Sequence, residues 1–244
     1  EVKKEGWAGF ATHLAEAKKA MEEVYPLHPE FPHVATRMIT VNMGTGSWDE
    51  KRMWFDRAVE ARFDYRPAYA AYLWANYPRW GGSVEAMLDF GRECLATERF
   101  DTDVPFFFVK TLHDISHELS DGETPYRRED LWGDITNCFE NILVATKDSG
   151  QRENKLSRYA AVAWLAGRPS EAVAIFERTN GKLDAKALKE EDLQADELTC
   201  LLKICAGSEG PDLQNALSSY AEGHAASALT RLASLAPSHK DPLL

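Results

Sequence analysis

The sequence predicts an all-α protein, built as an irregular stack of helical hairpins. Three observations carry this. Apolar residues recur at alternating intervals of three and four along most of the 244 residues, as at Trp7, Phe10, Leu14, Ala17, Met21 and Val24. No segment alternates as a strand would. A helix–turn–helix signature also occurs twice, in residues 73–90 and 159–176. Leu73, Trp74 and Tyr77 precede Gly81-Gly82, with Ala86 and Phe90 after it; Tyr159, Ala160 and Ala163 precede Gly167, with Ala172 and Phe176 after it. Two antiparallel helices approach closely when the turn residue bends freely and a small side chain sits at their crossing, which gives Gly81, Gly167, Ala86 and Ala172 mechanical roles.

Taken in order, the first helix spans residues 7–24 and is broken by Pro26, Pro29 and Pro32. A second runs from Pro32 to Met43 with proline in its tolerated first turn, and residues 44–47 close it. Residues 49–63 return along it through Met53, Phe55, Ala58, Val59 and Arg62. Pro29, Pro67 and Pro105 are 38 residues apart, each followed at the same offset by Phe31, Tyr69 or Phe107. That period fits one hairpin with its loops and places helices at 67–77 and 105–119, with 84–97 between them. Polar residues 120–125 then separate residues 1–122 from residues 123–244, two sets of hairpins expected to continue as one elongated domain. The second set holds a helix at 130–145 on the stripe Leu131, Ile135, Phe139, Ile142 and Leu143, followed by a terminal turn at 147–150. The second hairpin follows, then a charged stretch at 180–196, a solvated connector or a marginal helix, and short helices including 213–220 and 225–235.

Composition narrows the function classes. A net charge of −11 argues against nucleic acid, whose phosphates require a basic face. Residues 101–150 hold eleven acids against four bases, whereas residues 51–100 hold seven against eight, so the acidity is local; a solvated surface accounts for it better than an acidic docking face. No apolar run approaches the ~20 positions of a membrane span. The chain begins with Glu1 rather than Met, which admits an upstream segment and is compatible with either a cytoplasmic or an exported, processed protein. Cys94, Cys138, Cys200 and Cys205 show no metal-ligand spacing and read as reduced, buried thiols.

His113-Asp-Ile-Ser-His117 is the sharpest candidate for chemistry. Residues four apart share a helical face, and Asp114 stands where HExxH zinc peptidases keep a glutamate; aspartate is one methylene shorter, and no third-ligand signature follows. A metal-dependent hydrolase at His113 and His117 is therefore the alternative reading, and the expectation is no bound metal or cofactor. Tyr65, Tyr69, Tyr72, Trp74, Tyr77 and Trp80 form an aromatic cluster read as core wrapped from both sides. Arg66 and Arg79 at its ends could neutralise an acidic peptide or pair with local acids. There is no GxSxG string, no activated cysteine and no phosphate-cradling loop.

The order of large, small and turn positions in both hairpins resembles the tetratricopeptide repeat, although Trp74 falls where that family prefers a small residue and neither copy has the terminal proline. The resemblance implies an interaction scaffold without catalysis, binding a protein or peptide. It also implies a concave face at Ala68, Ala71, Ala75 and Arg79 in the first copy and at Asn154, Ser157, Ala161 and Trp164 in the second, with Arg79, Asn154, Ser157 and Trp164 as partner-binding residues. The first set lacks the lysine and asparagine that grip a terminal carboxylate, so acidic chaperone tails are not expected to bind. Residues 77–83 (Tyr-Pro-Arg-Trp-Gly-Gly-Ser), followed by Glu85-Ala-Met-Leu88, are similar to a bacterial family of unknown function, which implies a helical first half and a bacterial source but no activity.

Overall fold

The computed structural model describes residues 3–45, 48–119, 124–207, 210–221 and 224, and among these it contains twelve α-helices, three single-turn 3-10 segments and no strand. The chain divides into two compact units, Glu1–Glu118 and Leu119–Leu244.

The first unit holds α1 (Lys4–Val24), α2 (Pro32–Thr45), α3 (Trp48–Ala61), α4 (Arg66–Ala75), α5 (Val84–Ala96) and α6 (Phe107–Glu118). Prolines open α2 and α4 where no amide partner is lost. Ser83 caps α5, its Oγ accepting from the Ala86 amide at 3.0 Å. Helix α2 packs along α3, and α4 lies against both. Their shared core is aromatic: Phe55 stacks on Tyr72 at 4.7 Å and meets Tyr69 edge-on at 5.2 Å, and Phe90 joins from α5.

Those rings change the first hairpin. With Tyr69, Tyr72 and Phe90 filling the space between α4 and α5, Ala86 is only half-buried and does not mark a close crossing. The tight approach of α5 is to α6, where a Cβ added at Gly91 would stand 3.0 Å from the Thr111 Cβ. The double-glycine turn is as strict as expected. Gly81 takes φ +84°, and a Cβ on Gly82 would lie 1.9 Å from the Asn76 carbonyl oxygen. Trp74 is not wrapped, being 41% exposed on the side of α4 away from Tyr69. Helix α1 forms as periodicity requires, yet its stripe is half covered: Leu14 packs on Gly44, while Trp7 and Phe10 are 60% and 51% exposed.

The second unit begins with the 3-10 turn Pro125–Arg127 and continues through α7 (Glu129–Ala145), α8 (Ser149–Leu165), α9 (Pro169–Glu177), α10 (Ala185–Lys189), α11 (Ala195–Cys205) and α12 (Gly210–Ala221). The expected terminal turn at 147–150 is instead a helix start: Asp148 Oδ1 accepts from the Gln151 amide at 2.8 Å, which places Ser149 and Gly150 inside α8. Helices α8 and α9 form a close antiparallel pair around the φ +71° turn at Gly167, with Ala172 fully buried. The charged connector contains the five-residue α10, capped by Asp184. The helix expected at 225–235 lies outside the described residues. Cys94, Cys138 and Cys205 are buried as expected, but Cys200 is exposed because it faces away from the Leu198, Leu202 and Cys205 side of α11.

A buried polar network pins this unit. The Tyr126 hydroxyl donates to Glu191 Oε2 at 2.7 Å, Arg158 Nε donates to Glu191 Oε1, and Arg158 also pairs with Glu190 at 3.3 Å. Tyr126, Arg158 and Glu191 are all buried, so the network ties the 3-10 turn, α8 and the end of α10 together away from water.

Candidate functional site

Helix α2 turns Ala35, Met38 and Ile39 into the core, which leaves His33, Arg37 and Thr40 at four- and three-residue spacing on its outer face. Opposite them α4 begins with Tyr65, Pro67 and Ala71. Together with Thr36 these residues line a depression of about 190 Å³. The His33 and Tyr65 rings meet edge-on at 5.3 Å, and the Thr36 hydroxyl is spent on the Pro32 carbonyl at 2.8 Å. Among the described residues no carboxylate lies within 4.0 Å of the Arg37 guanidinium, whereas neighbouring Arg66 pairs with Asp103 at 2.9 Å. The depression therefore combines a fixed cation, a hydroxyl and an aromatic wall, a set suited to an oxyanion carried on a partly apolar group.

A second exposed feature lies at the end of α4. Arg79 is exposed, as expected, but engaged: its guanidinium lies 5.0 Å above both the Trp74 and Tyr77 rings and pairs with Glu118. Trp80 follows, 6.0 Å from Trp74 and 44% exposed. Of the other positions assigned to the first concave face, Ala68 and Ala75 are buried and Ala71 is half-buried. The open side of α4 runs instead through Arg66, Ala70 and Trp74.

The positions in the second unit are more enclosed. Ser157 is fully buried; its hydroxyl donates to the Glu153 carbonyl and accepts from the Asp184 amide, both at 2.9 Å, so the segment entering α10 covers it and it does not belong to an open face. Ala161 is likewise buried, and Asn154 and Trp164 are half-buried.

On α6, His113 is half-buried and His117 exposed, and their Nε2 atoms are 3.2 Å apart. Asp114 does not accompany them. It is buried, accepts from Lys110 Nζ at 3.0 and 3.1 Å, and hydrogen-bonds Tyr77, whose hydroxyl is held well above the ordinary tyrosine range by burial and by that carboxylate. A carboxylate so engaged is poorly placed to act as a base toward anything bound at the imidazoles.

His33, Arg37 and Thr40 did not emerge from the sequence as a site. Their signal was a polar i, i+4, i+7 row on a helix otherwise apolar, which any solvated face also shows.

The sequence matches no family model, and it has no significant similarity to a curated protein or to a solved structure. The class these observations define is an all-α protein; among the described residues, no helix is long and apolar enough to cross a membrane.

Proposed function

We propose that the protein is a tetratricopeptide-like helical-repeat scaffold that holds a protein or peptide partner and performs no catalysis. The observation that carries this reading is the Arg37 depression between α2 and α4, the first helices of successive hairpins. A repeat organisation is supported by the spacing of ion pairs between elements. Arg52–Glu93, Arg66–Asp103 and Arg79–Glu118 in the first unit are separated by 41, 37 and 39 residues, and Arg168–Glu129 and Arg178–Glu140 in the second by 39 and 38. Each separation is close to the 38-residue spacing of Pro29, Pro67 and Pro105, about one hairpin with its loops.

The partner segment presents a carboxylate to Arg37 and Thr40 and an apolar side chain to Tyr65 and Pro67. Asn154 and Trp164 remain available, in part, as a contact surface in the second unit. A displayed library of random peptides, selected on the purified protein, tests this. Recovered peptides should share an acidic residue beside an apolar one and should lose at least tenfold in affinity against Arg37→Ala. Selection of peptides that bind wild type and Arg37→Ala equally would remove the depression as the binding site.

A further inference from the structure

Histidines one helical turn apart normally splay away from each other toward solvent, whereas His113 and His117 converge. Their Nε2 atoms lie 3.2 Å apart, with the ring planes at 75° and the centroids 4.5 Å apart. An ion at the usual ~2.0–2.1 Å from each nitrogen would see them at an angle of roughly 100°, between the square and tetrahedral values. The two nitrogens thus stand at the edge length of a coordination polyhedron. The two nitrogens share a hydrogen bond in this arrangement, and a cation would take the place of its proton after a small rotation of the rings.

The backbone beneath them is well fixed. Gly91 brings α5 into contact with Thr111 half a turn before His113, and the Lys110–Asp114 pair spans the same turn. Chelation by side chains already held on one rigid helix costs little further ordering. Imidazole nitrogen is a borderline ligand, effective for late first-row divalent ions and ineffective for Mg²⁺ and Ca²⁺.

We propose that His113 and His117 form a two-imidazole chelate on α6 for a divalent transition cation of the Cu²⁺, Ni²⁺ or Zn²⁺ class. The site is independent of the peptide-binding reading and requires no reaction at the metal, since Asp114 is turned inward. Because the ligand nitrogens must be unprotonated, binding weakens in acid.

The test is calorimetric titration of the full chain with Cu²⁺, Ni²⁺, Zn²⁺ and Mg²⁺ at neutral pH, with electron paramagnetic resonance of the Cu²⁺ form. One equivalent of Cu²⁺ should bind more tightly than Ni²⁺ or Zn²⁺, Mg²⁺ should not bind, and the spectrum should carry nitrogen hyperfine structure. His117→Ala, at an exposed position where folding is least affected, should weaken Cu²⁺ at least tenfold with an unchanged circular dichroism spectrum, and His33→Ala should not. Undiminished Cu²⁺ affinity in folded His117→Ala, or no binding by the wild type at millimolar metal, would overturn the proposal.

Discussion

At the scale of single residues, burial divides the four thiols. Burial pushes the Cys138 thiol up to about 12, and raises Cys94 and Cys205 in the same direction, while Cys200 is exposed. Iodoacetamide at mildly alkaline pH should therefore modify one cysteine in the native protein, Cys200, and four in denaturant. Mass spectrometry counts them. The same shifts set a pH dependence. Below the ordinary thiol value of about 8.5 folded and unfolded chains both keep these protons, and the stabilising contribution is intact; above it unfolding releases them, so stability falls as pH rises toward the folded-state values. A fall in denaturation midpoint between neutral and alkaline solution should be smaller in Cys94→Ala. Glu191 is a buried carboxylate that accepts from Tyr126 and Arg158 in the second unit. Glu191→Ala removes this shared acceptor, and should cost about 3–5 kcal/mol in the unfolding of that unit.

At the scale of elements, the helices were legible because their punctuation is chemical: Pro26, Pro32 and Pro67 stop or start them, and Gly81 and Gly167 take the left-handed conformations that close them. Which helix lies closest to which was not legible. Ala86 and Ala172 occupy equivalent places in the pattern, yet aromatic rings separate α4 from α5, whereas nothing larger than Ala172 stands at its position between α8 and α9. Ala172→Leu should overpack that pair and cost about 1–3 kcal/mol, with a smaller effect from Ala86→Leu. Chemical denaturation of both variants measures the contrast, and equal losses would mean that the rings do not act as spacers. The exposed stripe of α1 was illegible for a related reason, since periodicity states which side is apolar and not whether anything covers it. The depression at Arg37 was not legible, because a polar row on one helix face says nothing of what another helix sets opposite it. Ser157 is covered by a segment more than twenty residues further along, a relation that no local pattern encodes.

At the scale of the molecule, the depression at Arg37, suited to an anion, belongs to a chain of net charge −11. The long-range field therefore opposes the approach of an acidic partner that Arg37 attracts at short range. Association with an acidic peptide should accelerate as salt is raised from about 0.01 to 0.15 M, because the Debye length contracts from roughly 30 to 8 Å and hides the distant acids first. Stopped-flow fluorescence reads the rate. A rate that falls with salt would place a more extensive basic surface at the site than Arg37 alone.

The buried network around Glu191 also matters while the chain is being made. Arg158 and Tyr126 leave the ribosome 33 and 65 residues ahead of the carboxylate that neutralises one and accepts from the other. At about 5–20 residues per second, Arg158 waits roughly 2–7 seconds for its counter-charge. During that interval the Pro125–Arg127 turn and α8 have no inexpensive way to close over the guanidinium. The polar network of the second unit is thus completed only when its later segment, carrying Glu190 and Glu191, has been made.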